Sequence, residues 1–169
     1  MLDYAGWAAE NAIAIQHFES TDIPFGHLQL MVEEKAINFR VGDILLFRSG
    51  YTAAYESLST DEQAAIPQRT STDFVGVESS KEMLQWIWGN GFAAVAGDMV
   101  AFERTPLNGP HSPMDGMLHQ WLLAGWGMPI GGLFDLEWLA EQYVRMGRLS
   151  FFFTSVPLKV SYHRARPTG

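Results

Sequence analysis

Short, unbroken runs of apolar residues alternate with helical patterns along this chain, and this alternation restricts the fold more than any other feature. The clearest runs are Ile44–Phe47 and Phe92–Ala96, each adjoined by a Gly-Asp turn signal. Runs without polar alternation predict strands that are buried on both faces. Further strands are predicted at 74–77 and 151–156. Strands that alternate with helices predict an α/β fold, with a mixed or mostly parallel sheet flanked by helices.

Apolar side chains at helical spacing, together with capping residues, predict the helices between these strands. The predicted N-caps are Ser59 or Thr60, Ser80 and Asp135, and Asn90-Gly91 is a predicted left-handed C-cap. Three prolines and two glycines in residues 104–116 predict a long loop. The predicted helices span residues 2–14, 24–36, 51–65, 80–88, 118–124 and 135–147.

Composition indicates one globular domain and excludes several classes of function. The chain has 169 residues, of which 47% are hydrophobic, and a net charge of −8. An acidic surface repels phosphate backbones, so nucleic-acid binding is not expected. The absence of cysteine excludes a disulfide framework, a thiolate zinc site and a cysteine nucleophile. Because no apolar run approaches the ~20 residues that span a bilayer and no signal peptide is evident, we expect a cytoplasmic protein with no membrane partner.

Four segments carry a resemblance to a known family: Phe39–Gly50, Phe74–Asp98, Leu118–Glu137 and Phe151–Leu158. Their order and spacing resemble the fungal branch of the cyclase family, a metal-dependent α/β family that includes kynurenine formamidase. The likeness covers nearly all of residues 1–160. It implies one shortened version of the family's swivelling β/α domain at 1–160, followed by a C-terminal tail at 161–169.

The chain departs from the family at the metal site. The family builds this site chiefly from an H-x-G-T-H-x-D motif near its N-terminus, and the start of this chain resembles the middle of a typical member. A further family histidine matches His119, whereas a glutamate that accompanies it is Gly132 here. One imidazole does not replace the roughly three protein ligands that a divalent metal requires. We therefore expect no metal cofactor, with one Zn or Mn as the alternative.

That alternative would assemble a metal site from scattered residues whose spacing gives it no support. Its candidate ligands are His119, His111, Asp98 and Glu103. The other histidines, His17, His27 and His163, are spread over helix, loop and tail without metal-ligand spacing.

Three residues are the predicted catalytic groups. Asp98 follows a buried strand, where ligands of α/β sheets bind, although Gly-Asp is also an ordinary turn dipeptide. His119 lies on an apolar helix, as a satisfied core histidine or, by the resemblance, as an acid–base catalyst near neutral pH. Glu103 is a candidate proton donor if buried, or a solvated partner of Arg104. Either Asp98 or Glu103 could pair with His119 and orient it.

Five residues are the predicted substrate-binding groups. Arg48 could orient a carbonyl or carboxylate oxygen, and a structural salt bridge is an equal alternative. Trp88 and Trp86 are two residues apart on a helix, so one must belong to the core and the other to a rim or pocket. Flat aromatic side chains suit an aromatic or polyketide-like substrate. The predicted set is Arg48, Trp88, Trp121, Trp126 and Phe102.

These observations predict a metal-independent cyclase or isomerase of secondary metabolism that uses acid–base catalysis on a carbonyl-bearing, apolar small molecule. The alternatives are a metal-dependent amide or lactone hydrolase of the kynurenine formamidase type and a non-catalytic binding remnant of the family. A shortened domain would expose sheet edge and apolar surface, so a homo-oligomer, most simply a dimer, is expected.

Overall fold

The computed structural model of the chain describes residues 1–107, 116–148 and 150–155. A four-stranded parallel sheet lies at its centre, in the order β1-β3-β5-β6, and a two-stranded parallel sheet pairs β2 with β4. The strands are β1 (Leu2–Asp3), β2 (Asp22–Ile23), β3 (Ile44–Arg48), β4 (Gly76–Val77), β5 (Ala94–Gly97) and β6 (Ile130–Gly131). The predicted α/β class with mostly parallel strands and flanking helices is confirmed.

Helices cover both faces of the central sheet. The α-helices are α1 (Tyr4–Glu10), α2 (Phe25–Glu34), α3 (Tyr51–Glu56), α4 (Thr60–Ala65), α5 (Lys81–Asn90) and α6 (Glu137–Met146). A short 3-10 helix spans Ile66–Gln68, and a π-helical segment spans Gln120–Gly125. Ser59 and Ser80 are N-caps as predicted, and Gly91 is the left-handed C-cap of α5. Within the described residues, no helix is both long and apolar enough to cross a membrane.

The largest core cluster packs on one face of the central sheet, around fully buried side chains such as Phe47, Val95 and Phe102. A smaller cluster of Leu46, Ala96 and Leu136 lies on the other face. Because neighbouring residues of a strand point to opposite faces, the unbroken apolar runs serve both clusters.

Several predicted elements have different bounds in the structure. The predicted helix 2–14 begins with strand β1 and ends at Glu10, and the helix predicted over 51–65 divides into α3 and α4. Of the predicted strand 74–77, only Gly76–Val77 forms a strand. Asp135 does not cap α6 as predicted, because Leu136 holds the N-cap position.

The predicted final strand is wrong over residues 151–155, and Val156 lies outside the described residues. In the central sheet, the strand that pairs with β5 on this side is β6 and not the predicted strand 151–156. The three phenylalanines lie outside the sheet: Phe152 is 92% exposed, while Phe153 packs against the smaller cluster. The predicted tail 161–169 also lies outside the described residues, and the predicted homodimer stays a prediction.

Candidate active site

Strand β4 fixes the backbone of Glu103. Val77 and Glu103 form a parallel bridge, in which the Val77 amide donates to the Phe102 carbonyl at 3.0 Å and the Arg104 amide donates to the Val77 carbonyl at 3.1 Å. Gly76 permits this approach, because a Cβ atom there would lie 2.2 Å from the Glu103 carbonyl carbon. The glycine in β4 therefore allows the Glu103 backbone to lie directly against the strand.

The Glu103 carboxylate is 1% exposed and accepts four hydrogen bonds. Its Oε1 atom accepts from the His119 amide at 2.7 Å and from His119 Nδ1 at 2.8 Å. Its Oε2 atom accepts from the Leu118 amide at 2.7 Å and from the Ser79 hydroxyl. The carboxylate thus satisfies two backbone amides at the start of the helical stretch 118–125 and orients an imidazole at the same time.

His119 and Glu103 form a carboxylate–imidazole dyad. Since an ionised carboxylate can only accept, the contact assigns the ring proton to Nδ1 and leaves a lone pair on Nε2. The His119 side chain is 27% exposed, and Nε2 has no hydrogen-bond partner among the described residues. Burial by itself would raise the pKa of Glu103, but the hydrogen bonds from His119, Ser79 and the Leu118 amide outweigh burial and lower that pKa. The dyad can therefore present the Nε2 lone pair of a ring that is held in one tautomer.

Asp98 does not orient His119, contrary to one of the predicted pairings. It is fully buried at the end of β5, where its Oδ1 accepts from the Ser49 amide at 2.7 Å and the Ser49 hydroxyl at 2.8 Å. Its Oδ2 accepts from the amides of Gly50 at 2.7 Å and Tyr51 at 2.9 Å. All of these donors lie between β3 and the first residue of α3. The carboxyl ends of β3 and β5 meet here, as expected where ligands of parallel sheets bind. The contacts of Asp98, however, hold the loop between β3 and α3.

Arg48 does not take the predicted substrate-orienting role, and Glu103 does not pair with Arg104. The Arg48 guanidinium binds Asp3 at 2.7 Å and Glu137 through two hydrogen bonds at 3.0 and 2.5 Å, which makes it the structural salt bridge of the two alternatives. Arg104 binds Asp22 at 2.6 Å, and it is not among the four hydrogen-bond partners of the Glu103 carboxylate, contrary to the predicted Glu103–Arg104 pair.

Phe102 is 1% exposed within the main core. It therefore has no surface with which to contact a substrate, and the predicted substrate-binding role is not compatible with its position.

The three predicted tryptophans do come together, in an open groove of about 490 Å³ between α5 and the π-helical segment. The ring centroids of Trp88 and Trp126 are 4.9 Å apart, and those of Trp121 and Trp126 are 6.3 Å apart. The π-helical hydrogen bond from the Trp126 amide to the Trp121 carbonyl, at 2.9 Å, brings the last two together. Trp88 is 63% exposed, while Trp86 packs against the core, as the spacing argument predicted.

The groove and the dyad are separate features. Of the residues that the structure describes, Lys81, Leu84 and Gln85 also line the groove, and neither His119 nor Glu103 does. Trp121 follows His119 by two residues on one helical stretch, and residues at that spacing do not face each other.

The described residues do not fit the metal site that the family resemblance implies. Both oxygens of Glu103 and both oxygens of Asp98 already accept two hydrogen bonds each, which leaves Nε2 of His119 as the ligand atom that the dyad can offer. Within residues 1–107, 116–148 and 150–155, no group of three or more His, Cys, Asp or Glu side chains is placed to hold a metal ion. The candidate ligand His111 lies outside these ranges, as does His163.

Gly132, where the resemblance implies a glutamate, supports this conclusion. A Cβ atom at Gly132 would lie 3.0 Å from the Val100 carbonyl oxygen and 3.2 Å from that of Met99. Glycine thus fits a close packing of backbone at this position, which a side chain would disturb.

Two residues of these networks escaped the sequence analysis. Ser49 and Ser79 are both buried and donate to Asp98 and Glu103, respectively. Each lies beside a turn signal or a helix cap, where serine is common, so the sequence carries no pattern that singles them out.

Comparison with solved structures finds a crystal structure described as a novel cyclase. The two folds agree with a TM-score of 0.73 and 25% sequence identity, over 94% of this chain and 47% of the cyclase. This chain therefore spans about half the length of that cyclase. The structural likeness supports the predicted resemblance to the cyclase family. No family model matches the sequence, and no curated protein matches it significantly.

Proposed function

We propose that this chain is a cyclase-type enzyme that acts without a metal, by acid–base catalysis on a carbonyl-bearing, apolar small molecule. The observation that carries the proposal is the dyad, in which Glu103 holds Nδ1 of His119 at 2.8 Å and Nε2 is left to meet a substrate. The structural likeness to a cyclase supports the reaction type. The poor fit of the described residues to a metal site supports acid–base chemistry by the side chains themselves.

In this mechanism, Nε2 of His119 takes a proton from the carbon next to a substrate carbonyl. The imidazole then becomes an imidazolium whose Nδ1 proton still points at Glu103, so the buried carboxylate stabilises the new positive charge. In a ring closure, the resulting enolate carbon attacks a second carbonyl carbon and Nε2 returns the proton to the new alkoxide. In an isomerisation, Nε2 returns the proton to a different carbon, and in a dehydration it gives the proton to a β-hydroxyl group that leaves as water. Proton transfer by a positioned side chain contributes roughly 10²- to 10⁴-fold to such a rate.

The tryptophan groove supports an extended substrate. Because Trp121 and His119 point to different sides of one helical stretch, a molecule that contacts both must pass around that stretch. An elongated, flexible molecule of the polyketide kind meets this requirement. The resemblance of Leu118–Glu137 and the other matched segments supports the finer proposal that the chain is similar to the fungal, kynurenine formamidase-like members of the family.

The test replaces His119 by Asn, whose amide can keep a hydrogen bond to Glu103 but offers nothing at the position of Nε2. The probe is phenylacetone, an aromatic ketone whose α-protons exchange with D₂O, followed by proton NMR. We expect the wild-type protein to accelerate the exchange, His119→Asn to lower its kcat/KM by about 10²-fold or more, and a chelator to change nothing. His27→Asn is the matched control, since the His27 ring binds the Tyr4 hydroxyl at 2.9 Å and takes no part in the dyad.

Two outcomes would overturn the proposal. Loss of activity with a chelator, together with stoichiometric Zn or Mn and hydrolysis of formanilide, would establish the metal-dependent hydrolase instead. Exchange rates that are the same for the wild-type protein and His119→Asn would remove His119 from the chemistry and favour a binding remnant.

A further inference from the structure

Ser79 is a buried hydroxyl for which the proposed mechanism has no role. It is 8% exposed and lies two residues after β4, directly before Ser80, the N-cap of α5. Its Oγ atom donates to Oε2 of Glu103. A serine next to a helix cap has no local need for this contact, because Ser80 already caps α5 through a bond from the Met83 amide at 3.2 Å.

The partners of Glu103 are distributed unevenly. Three of its four hydrogen bonds come from Leu118 and His119, the same short stretch that carries the imidazole. Those three bonds tie the carboxylate to the stretch that carries the imidazole, and none of them holds the far end of the Glu103 side chain against β4. Among the described contacts of the carboxylate, Ser79 supplies the hydrogen bond from outside that stretch.

The position of Ser79 is tied to the same strand as the Glu103 backbone. Val77 bridges Glu103, and Gly76 lies so close to it that no side chain fits between them. Ser79 follows Val77 by only two residues. The short backbone between them therefore keeps the Ser79 hydroxyl close to the Glu103 side chain. Strand β4 therefore positions both the base of the Glu103 side chain and the donor that holds its far end.

We propose that Ser79 is a positioning residue of the dyad. Its hydroxyl fixes the rotation of the Glu103 carboxylate, so that Oε2 faces Ser79 and Leu118 while Oε1 faces Nδ1 of His119. This arrangement keeps His119 in the tautomer with the proton on Nδ1 and sets the direction of Nε2. The effect of Ser79 on turnover depends on the proposed function, whereas its effect on the imidazole does not.

The experiment compares Ser79→Ala, Ser79→Thr and Ser80→Ala by the nitrogen-15 NMR signals of the His119 ring, assigned with His119→Asn. Spectra are recorded at increasing pH until the ring signals no longer change, so that the tautomers of the neutral ring are compared. We expect a single Nδ1–H tautomer in the wild-type protein, a mixture in Ser79→Ala, and recovery in Ser79→Thr, which keeps the hydroxyl. Ser80→Ala removes the cap of the same helix without touching Glu103, so it should retain the wild-type signals. Ser79→Cys, which keeps the volume with a weaker donor, replaces Ser79→Ala if that variant does not fold.

Turnover of phenylacetone gives a second and separate readout. Ser79→Ala should lower kcat about tenfold and leave KM unchanged, because positioning of the base changes while binding does not. An unchanged tautomer in Ser79→Ala, or the same mixture in Ser80→Ala, would overturn the positioning role whatever the activity. A tautomer change in a protein that never turns over the probe would overturn the proposed function and leave the role of Ser79 standing.

Discussion

Asp98 and Glu103 lie five residues apart, are both buried, and each accept four hydrogen bonds, yet the structure uses them differently. The donors to Asp98 are three backbone amides and one hydroxyl, all from the turn between β3 and α3. The donors to Glu103 include an imidazole, which can gain and lose a proton. One carboxylate therefore holds a loop in place, and the other holds a titratable ring.

The pKa values of the two carboxyl groups shift in opposite directions, because burial and hydrogen bonding balance differently at each. Burial raises the pKa of the Asp98 carboxyl, against the four hydrogen bonds that favour its charged form. At Glu103 burial acts in the same sense, but the hydrogen bonds, led by the one from the His119 ring, outweigh it and lower the pKa. The direction of each pKa shift thus depends on how strongly the donors oppose burial.

The largest expected effect is on stability, from Asp98→Asn. Whichever oxygen becomes an NH₂ group, two donors lose their acceptor, and the three backbone amides cannot turn away. We expect the free energy of unfolding to fall by about 2–5 kcal/mol, measured by urea denaturation. The nitrogen-15 signals of the His119 ring should stay those of the wild-type protein. A change of the His119 tautomer in this variant would contradict the separation of the two networks.

Glu103→Gln should lower the free energy of unfolding less than Asp98→Asn does, and it should change the tautomer of the His119 imidazole. Two of the four donors to Glu103 belong to side chains, Ser79 and His119, and these can reorient when one oxygen becomes NH₂. We expect a loss of about 1–3 kcal/mol in the free energy of unfolding, together with a mixture of His119 tautomers in the nitrogen-15 spectrum. If the ring kept its single tautomer, Glu103 would be only a structural acceptor, like Asp98, and the difference between the two networks would disappear.

The fold could be predicted from sequence where elements are long or strongly apolar. Strands β3 and β5 follow from their unbroken apolar runs, and α5 follows from its caps, because these signals are local. Strands β1, β2 and β6 have two residues each, and so short a strand carries no periodicity. The run Phe151–Phe153 resembles a buried strand, yet β6 forms the pair with β5, and pairing is a property of the whole sheet.

The site could be predicted in its residue types but not in its contacts. The sequence indicated His119, Glu103 and Asp98, since these residue types suit acid–base chemistry and one of them matches the family. Which carboxylate meets the imidazole depends on the bridge between Val77 and Glu103, which joins residues 26 positions apart. The role of Ser79 depends on the same bridge, and a single serine near a helix start gives no signal of it.

The smallest expected effect is on the pH dependence of stability, where the two carboxylates should act with opposite sign. Glu103 has a lowered pKa in the folded protein, so the unfolded chain binds more protons between that value and the unfolded pKa of ~4.3. Its contribution to stability is complete above the unfolded pKa and is lost as pH falls through the folded pKa. Asp98 has a raised pKa, so the folded protein binds more protons between the unfolded value of ~3.9 and the folded one, and stability falls as pH rises through that window.

Urea denaturation from about pH 3 to about pH 7 should show the stability of the wild-type protein relative to Glu103→Gln rising with pH, and relative to Asp98→Asn falling with pH. Slopes of the same sign would mean that the hydrogen bonds to Glu103 together do not outweigh its burial, and that the two carboxylates differ only in which segment they hold.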